Sequence, residues 1–272
     1  MTIANAEDEP IADRLARRLS RRSLAAATGL LLSGAVLGRA DVLRTAAKTS
    51  SDVRRVIDAA ITLEAFAVTF AGAARARQDA MKLSPETQRF LQAAQCVDEA
   101  HYHYFEAAGA IPAATAFTIN SKLLKDQKTF LPAYQKTKSI LLGSYMAAAR
   151  QLAATGDFAL VEIPYQVGTV EAQHQALTRV LSASRVPANR AFAAWQFRGI
   201  GDGLKALTDA GYIAGNGGSV AFPSPVDRNC RGVAGLVPET TDDQPPIAAT
   251  GNATPVVSSP EASPKAASGA AI

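Results

Sequence analysis

The spacing of apolar positions along the chain predicts a helical protein. Between residues 52 and 78, apolar side chains recur at intervals of three or four positions, which is the period of one helix face. Further helices are predicted at 84–108, 135–154, 158–184 and 188–210. No segment alternates between apolar and polar residues over a useful length, so the pattern predicts no strand.

Residues that begin and end helices lie at the edges of these segments. Ser84 offers a side-chain oxygen that can cap a first turn, and Pro85 suits the first helical position. Gly109, Gly156 and Gly211 follow three of the predicted helices, where a residue of positive φ commonly ends a helix. Boundary residues and periodicity therefore agree.

The order of the helices predicts a fold. Two helices are followed by a connection of about 25 residues, at 110–134, and then by two more helices. This is the order of a ferritin-like four-helix bundle, in which one long crossover joins two helix pairs. The predicted fold class is therefore all-α: a ferritin-like four-helix bundle with one long crossover, plus an extra C-terminal helix at 188–210.

Residues 1–40 resemble an export signal. Ser20-Arg21-Arg22-Ser23-Leu24 is followed by an uncharged run of about 14 residues, shorter than the ~20 that a membrane-spanning helix needs. Gly38-Arg39-Ala40 then resembles a small-x-small cleavage site. This combination is similar to a twin-arginine signal and implies export to the periplasm, cell envelope or exterior. No stable membrane span is expected in the mature chain, and cleavage or retention of the signal stays open.

The C-terminal segment, 223–272, changes composition. From Pro238 onward it consists largely of Pro, Ser, Thr, Ala and acidic residues, with few large apolar side chains. Such a composition buries too little apolar surface to order itself, so a disordered tail is predicted. The bundle domain is therefore placed at 41–222.

Composition narrows the function classes. The chain has 272 residues and a formal net charge of only +4, without a basic stripe interleaved with aromatic residues, so nucleic acid is not an expected partner. The two cysteines, Cys96 and Cys230, exclude a thiolate zinc site. They could bridge in an oxidising compartment, but no spacing places them within reach. No G-x-S-x-G motif or phosphate-binding loop is present.

The candidate chemistry consists of five acidic and histidine residues on three predicted helices. Glu64 stands in the middle of an apolar stripe, where an unpaired carboxylate would cost several kcal/mol. Asp98 with His101, and Glu171 with His174, each lie three positions apart on an apolar helix face. Such a pair projects an oxygen and a nitrogen ligand from one turn, as in di-iron and di-manganese bundles. The predicted metal ligands are therefore Glu64, Asp98, His101, Glu171 and His174.

The segments around these residues resemble a known family. They are Ile61-Thr62-Leu63-Glu64-Ala65, Asp98-Glu99-Ala100-His101 and Val170-Glu171-Ala172-Gln173-His174. They are similar to the bacterial exported ferritin-like domain family, which is related to desiccation-associated ferritin-like proteins. The resemblance implies a ferritin-like bundle, export and a dinuclear iron or manganese site, with no established activity for most members.

The chain departs from that family's site on its third helix. The resemblance implies a lone carboxylate near Lys138, but no Asp or Glu occurs from Gln127 to Gly156. The helix-2 ligand Asp98 also has a shorter side chain than the family's Glu. Three interpretations stay open: one metal ion, two ions completed by water, or a metal-free site whose carboxylates pair with the histidines or with a lysine such as Lys138.

Two functions are compatible with these residues. The first is an exported Fe or Mn protein with redox chemistry on iron, oxygen or peroxide, in which Tyr102, Tyr104 and Tyr145 are candidate neighbours of the metal. The second is a non-enzymatic scaffold of the cell envelope with a degenerate metal site. His103 points away from His101, towards Glu99 and Glu106, and is predicted to be a partly exposed residue paired with acids. Oligomeric state is left open.

Overall fold

The computed structural model of the protein describes residues 34–156, 158–182, 191–222, 230 and 233. Within these residues the structure contains six α-helices: α1 (Gly34–Thr49), α2 (Ser51–Arg75), α3 (Pro85–Ala107), α4 (Gln127–Ala153), α5 (Glu162–Leu181) and α6 (Ile200–Asp209). Short 3₁₀ helices occupy Ser121–Leu124 and Phe158–Val161, and two strands are β1 (Ala116–Thr118) and β2 (Ser219–Ala221). The all-α fold class is confirmed.

Four of the helices form a bundle. Helix α2 packs along α3, α4 packs along α5, and further contacts of α2 with α4 and of α3 with α5 join the two pairs. The segment between α3 and α4 is the long crossover, and α6 is the extra C-terminal helix, which packs against α4 and α2. Helix α1 packs on α2 and α3 and runs across the predicted boundary at residue 40.

The boundary residues act as the sequence indicates. Ser84 accepts a hydrogen bond from the Thr87 amide at 3.2 Å, with Pro85 as the first residue of α3. Gly109, Gly156 and Gly211 have φ values of +79°, +81° and +79°, which end three helices in the left-handed region that favours glycine. These local signals are confirmed.

Helix α4 begins earlier than predicted, at Gln127 rather than at 135. Asp126 caps it by accepting the Thr129 amide at 2.8 Å, and Pro132 lies inside the helix. Proline is unfavourable inside a helix because it lacks the amide proton that would form a hydrogen bond with the preceding turn. Here the burial of Phe130, Leu131 and Tyr134 on the same turns offsets that cost.

The last helix is shorter than predicted, because residues 191–199 are not helical and α6 begins at Ile200. The Asp202 carboxylate accepts the backbone amides of Arg198 and Gly199, at 2.9 and 3.1 Å, and so fixes the start of α6. The predicted start at residue 188 lies outside the described residues. A Cβ atom at Gly203 would overlap the Ser144 hydroxyl, so only glycine lets α6 approach α4 this closely.

A two-stranded antiparallel sheet was not predicted. It pairs Ala116 with Ala221, Phe117 with Val220 and Thr118 with Ser219. Strands of three residues are too short to show an alternating pattern, so periodicity could not reveal them.

A disulfide joins Cys96 of α3 to Cys230, across 134 positions of the chain. Their Cα atoms are 5.6 Å apart, within the range that disulfides require. The bridge that the sequence left open is therefore present. The predicted export segment lies outside the described residues up to residue 33, as does the predicted tail from 223 onward except for Cys230 and Val233.

Among the described helices, α2 is the one whose length and apolar composition would suffice to cross a membrane. However, 94% of its apolar window is buried inside the protein. Its place at the centre of the bundle accounts for its apolar character.

Candidate metal centre

The five predicted ligands lie on three helices of the bundle. Helix α2 carries Glu64, α3 carries Asp98 and His101, and α5 carries Glu171 and His174. The side chains of Glu64, Asp98 and Glu171 have no solvent exposure. The two histidine side chains are 16% and 8% exposed. The predicted burial is confirmed for the three carboxylates and for His174, whereas His101 is partly buried.

Glu64 is buried because its own helix neighbours are. Ala60, Ile61, Ala67 and Val68, which lie three or four positions away, are each at most 3% exposed. The stripe that covers the bundle core therefore carries the carboxylate into it.

Four of the five residues meet closely enough to share one ion. Glu64, Asp98, His101 and Glu171 each offer a ligand atom, and these atoms all lie within 4.8 Å of one another. His174 does not belong to this group. Its Nδ1 atom lies 3.4 Å from Asp98 Oδ1 and 3.9 Å from Glu171 Oε1, the two carboxylates that also contact Lys138.

Lys138 on α4 contributes a buried ammonium to the cluster. Its side chain is 1% exposed, and its Nζ atom donates to Asp98 Oδ2 at 2.7 Å and to Glu171 Oε1 at 3.1 Å. Helix α4 therefore supplies a cation where the resemblance implied a carboxylate. Of the pairings considered from the sequence, the lysine pairing forms with Asp98 and extends to Glu171.

Tyr145, seven positions further along α4, contacts the cluster at Glu64. Its hydroxyl donates a short hydrogen bond to Glu64 Oε1. Gly168 of α5 allows this approach, because a Cβ atom there would already lie 3.3 Å from the Tyr145 Cβ. His101 Nδ1 lies 3.5 Å from Glu64 Oε2.

The cluster thus has two halves that share Asp98 and Glu171. We call Glu64, His101 and Tyr145 the Glu64 half, and Lys138 and His174 the Lys138 half. The Glu64 half contains no basic side chain other than an imidazole, whereas the Lys138 half contains an ammonium bonded to both shared carboxylates.

Burial dominates the electrostatics of the carboxylates. Burial and, to a smaller extent, the Asp98 charge raise the pKa of Glu64 to about 8, against the lowering effects of Lys138 and Tyr145. Burial also raises the pKa of Glu171 well above its ordinary value, although the Lys138 ammonium opposes that shift. Removed from water, these carboxylates need a proton or a cation.

The basic groups of the cluster respond in opposite directions. Burial would lower the pKa of Lys138, but the charges of Asp98 and Glu171 outweigh it and raise that pKa well above its ordinary value. Burial lowers the pKa of His101 to about 4, and burial together with Lys138 lowers that of His174. Both imidazoles are therefore neutral at pH 7 and retain a lone pair for an ion.

Several ligand-type atoms in the cluster have no hydrogen-bond partner among the described residues. They are Glu64 Oε2, Asp98 Oδ1, His101 Nδ1, Glu171 Oε2 and His174 Nδ1. Buried polar atoms are nearly always satisfied by a partner, water or an ion. Four of the five belong to residues of the group that meets within 4.8 Å.

These observations decide which metal site the residues fit. A dinuclear site does not fit, because the Lys138 ammonium is bonded to Asp98 and Glu171, which a second ion would need as ligands, and α4 supplies no acidic ligand. A mononuclear site does fit. Ligands about 2.1 Å from one ion lie up to about 4.2 Å apart, so the group needs to contract by only about half an ångström.

The other candidate residues, apart from Tyr145, lie outside the cluster. His103 is half exposed, with Nδ1 2.9 Å from Glu106 Oε2 and Nε2 3.5 Å from Glu99 Oε1, as predicted. Tyr102 and Tyr104 are buried and pack against other aromatic side chains. Of the three tyrosines considered, Tyr145 is bonded to the cluster.

The fold and the site together define a helical bundle with a buried carboxylate–histidine cluster that can hold a metal ion. Comparison with family models, curated proteins and solved structures gives no match to this chain. The resemblance to exported ferritin-like domains therefore stays a prediction.

Proposed function

We propose that this protein binds one divalent transition-metal ion, Fe²⁺ or Mn²⁺, through Glu64, Asp98, His101 and Glu171. The observation that carries the proposal is the convergence of these four ligand atoms within 4.8 Å on buried faces of three different helices. Three carboxylate oxygens and one imidazole nitrogen are donors that suit Fe²⁺ and Mn²⁺.

Charge balance supports a single ion. With all groups ionised, the three buried carboxylates and the Lys138 ammonium carry a formal net charge of −2, and both histidines are neutral. One divalent cation neutralises that charge. Buried charge is tolerated in proteins when it is paired in this way.

The chain's own groups define what the site can do. A bound Fe or Mn ion would supply one-electron redox chemistry towards oxygen or peroxide. Tyr145 orients Glu64 through its hydrogen bond, and hydrogen bonds of this type hold ligating carboxylates in place. The surrounding buried side chains limit the access of water to the ligands.

Elemental analysis tests this proposal. The full-length protein, prepared with excess Fe²⁺ or Mn²⁺ and then desalted, should retain about one equivalent of metal per chain. Glu64→Gln, which removes a ligand charge at similar size, should lose it. Glu106→Gln, on the exposed face of α3, is the matched control and should retain it. Equal, substoichiometric metal in all three proteins would contradict the proposal.

A metal-free scaffold is the second candidate, and one observation favours it. Lys138 already donates to two of the three buried carboxylates, so the cluster is partly neutralised without an ion. In that case Glu64 would remain protonated and bonded to Tyr145. Absence of metal from a folded, thermally stable full-length protein would support this candidate over the first.

We also propose export by the twin-arginine route. The motif around Arg21 and Arg22 motivates it, and the Cys96–Cys230 disulfide supports it because such bonds persist mainly outside the cytosol. Replacing both arginines with lysine should retain the protein in the cytoplasmic fraction, while the unmodified chain should leave it. Unchanged distribution between fractions would contradict this route.

A further inference from the structure

We infer that the Lys138 ammonium takes the place of a second metal ion, so that Lys138 sets the metal stoichiometry of the cluster at one. This inference rests on the proposed function in one respect only: it takes the Glu64 half as the place of the single ion. It assigns a role to a residue that is not a metal ligand.

Lys138 occupies the carboxylates that a second ion would need. Its Nζ atom lies 2.7 Å from Asp98 Oδ2, 3.1 Å from Glu171 Oε2 and 3.1 Å from Glu171 Oε1. These two carboxylates are shared by both halves and are also the ones beside His174. An ion held by Asp98, Glu171 and His174 would compete with the ammonium for these oxygen atoms.

The Lys138 ammonium cannot easily move aside for an ion. Its side chain is 1% exposed, and its Nζ atom also lies 5.5 Å from the centre of the Tyr134 ring. Displacing it into apolar surroundings would leave an unpaired buried charge, which is strongly unfavourable. A second divalent ion would add that cost to direct repulsion between two cations.

The net charge of the cluster also limits it to one divalent ion. One ion brings the cluster to neutrality, whereas two divalent ions beside the ammonium would leave a net positive charge in a buried site. Replacing Lys138 by an acidic residue removes one positive charge and adds one negative charge. That change would accommodate a second divalent ion and supply the carboxylate that α4 lacks.

Mn²⁺ binding to full-length Lys138→Glu tests the inference. We expect two equivalents per chain and the electron paramagnetic resonance spectrum of a coupled Mn²⁺ pair, against one equivalent and an isolated-ion spectrum for the unmodified protein. Lys136→Glu, on the exposed face of the same helix, should bind one. The double variant Lys138→Glu/His174→Ala should lose the second ion, because His174 is the imidazole that lies beside Asp98 and Glu171 but outside the converging group.

One equivalent in a folded Lys138→Glu variant would overturn the inference. So would a coupled-pair spectrum from the unmodified protein at saturating Mn²⁺, a measurement that does not depend on whether the variant folds. If the unmodified protein binds no metal but Lys138→Glu binds two equivalents, the proposed function fails, whereas the inference that the Lys138 ammonium takes the place of an ion stands. If neither binds metal, both fail.

Discussion

The two halves of the buried cluster are built from similar sequence elements but have opposite electrostatic character. Each has an acid-x-x-His turn nearby, on α3 for one and on α5 for the other. In the Glu64 half, α2 adds a third carboxylate, which accepts a hydrogen bond from Tyr145. In the Lys138 half, α4 adds an ammonium instead.

This difference between the halves indicates that a ligand pattern alone does not set how many ions a bundle holds. Both histidines are neutral and both turns are buried, so neither half is excluded by its own motif. The residue that α4 places against the motif determines how many ions the site can hold. The following predictions test this difference between the two halves.

The largest effect is expected from Lys138→Met in metal-free protein. Removing the ammonium leaves Asp98 and Glu171 buried without their cation, so the free energy of unfolding should fall by about 3–5 kcal/mol. Chemical denaturation in the presence of a chelator measures it.

Lys136→Met is the control for that experiment, since Lys136 is exposed on the same helix, and it should change stability by less than about 0.5 kcal/mol. If Lys138→Met is as stable as this control, the carboxylates do not depend on the ammonium, and the contrast between the halves is wrong.

Metal affinity should increase with pH. Since burial raises the pKa of Glu64 to about 8, protons occupy this carboxylate in the metal-free protein near pH 7, and burial shifts the pKa of Glu171 in the same direction. An ion must displace them, so apparent affinity should rise by about tenfold per pH unit for each proton released. Calorimetric titrations with Mn²⁺ in buffers of different ionisation enthalpy would count the protons. An affinity independent of pH between 6 and 8 would count against this account.

The smallest effect is expected from the tyrosines, one facing each half. Tyr145→Phe removes the hydrogen bond to Glu64 and should lower metal affinity by about tenfold and stability by about 1–2 kcal/mol. Tyr134→Phe, beside Lys138, should leave metal affinity within about twofold. Equal effects of the two substitutions on metal affinity would remove the distinction between the halves.

Much of the fold could be predicted from the sequence because its signals are local. The Ser84 cap, the closing glycines and the apolar stripe around Glu64 each act within one or two helical turns. The start of α4 was misjudged because Pro132 is unfavourable locally, whereas the buried aromatic side chains that offset it act through tertiary packing.

The ligand residues of the site could be predicted from the sequence, but their pairing with Lys138 could not. Glu64 and the two acid-x-x-His turns stand out by periodicity, yet which of them meets Lys138 depends on the register between α4 and its neighbours. One signal did point to Lys138: Tyr134, Leu141 and Leu142, three or four positions away, are apolar and buried, as are the neighbours of Glu64. The Cys96–Cys230 bridge had no local signal, because its partners are 134 positions apart.

The most direct test of the central claim compares the two histidines. Metal content of full-length His101→Ala and His174→Ala would be measured after loading with Mn²⁺ and desalting. Because His101 belongs to the converging group and His174 does not, the first variant should lose its metal and the second should retain about one equivalent. Loss of metal in His174→Ala with retention in His101→Ala, or loss in both, would contradict a single ion in the Glu64 half.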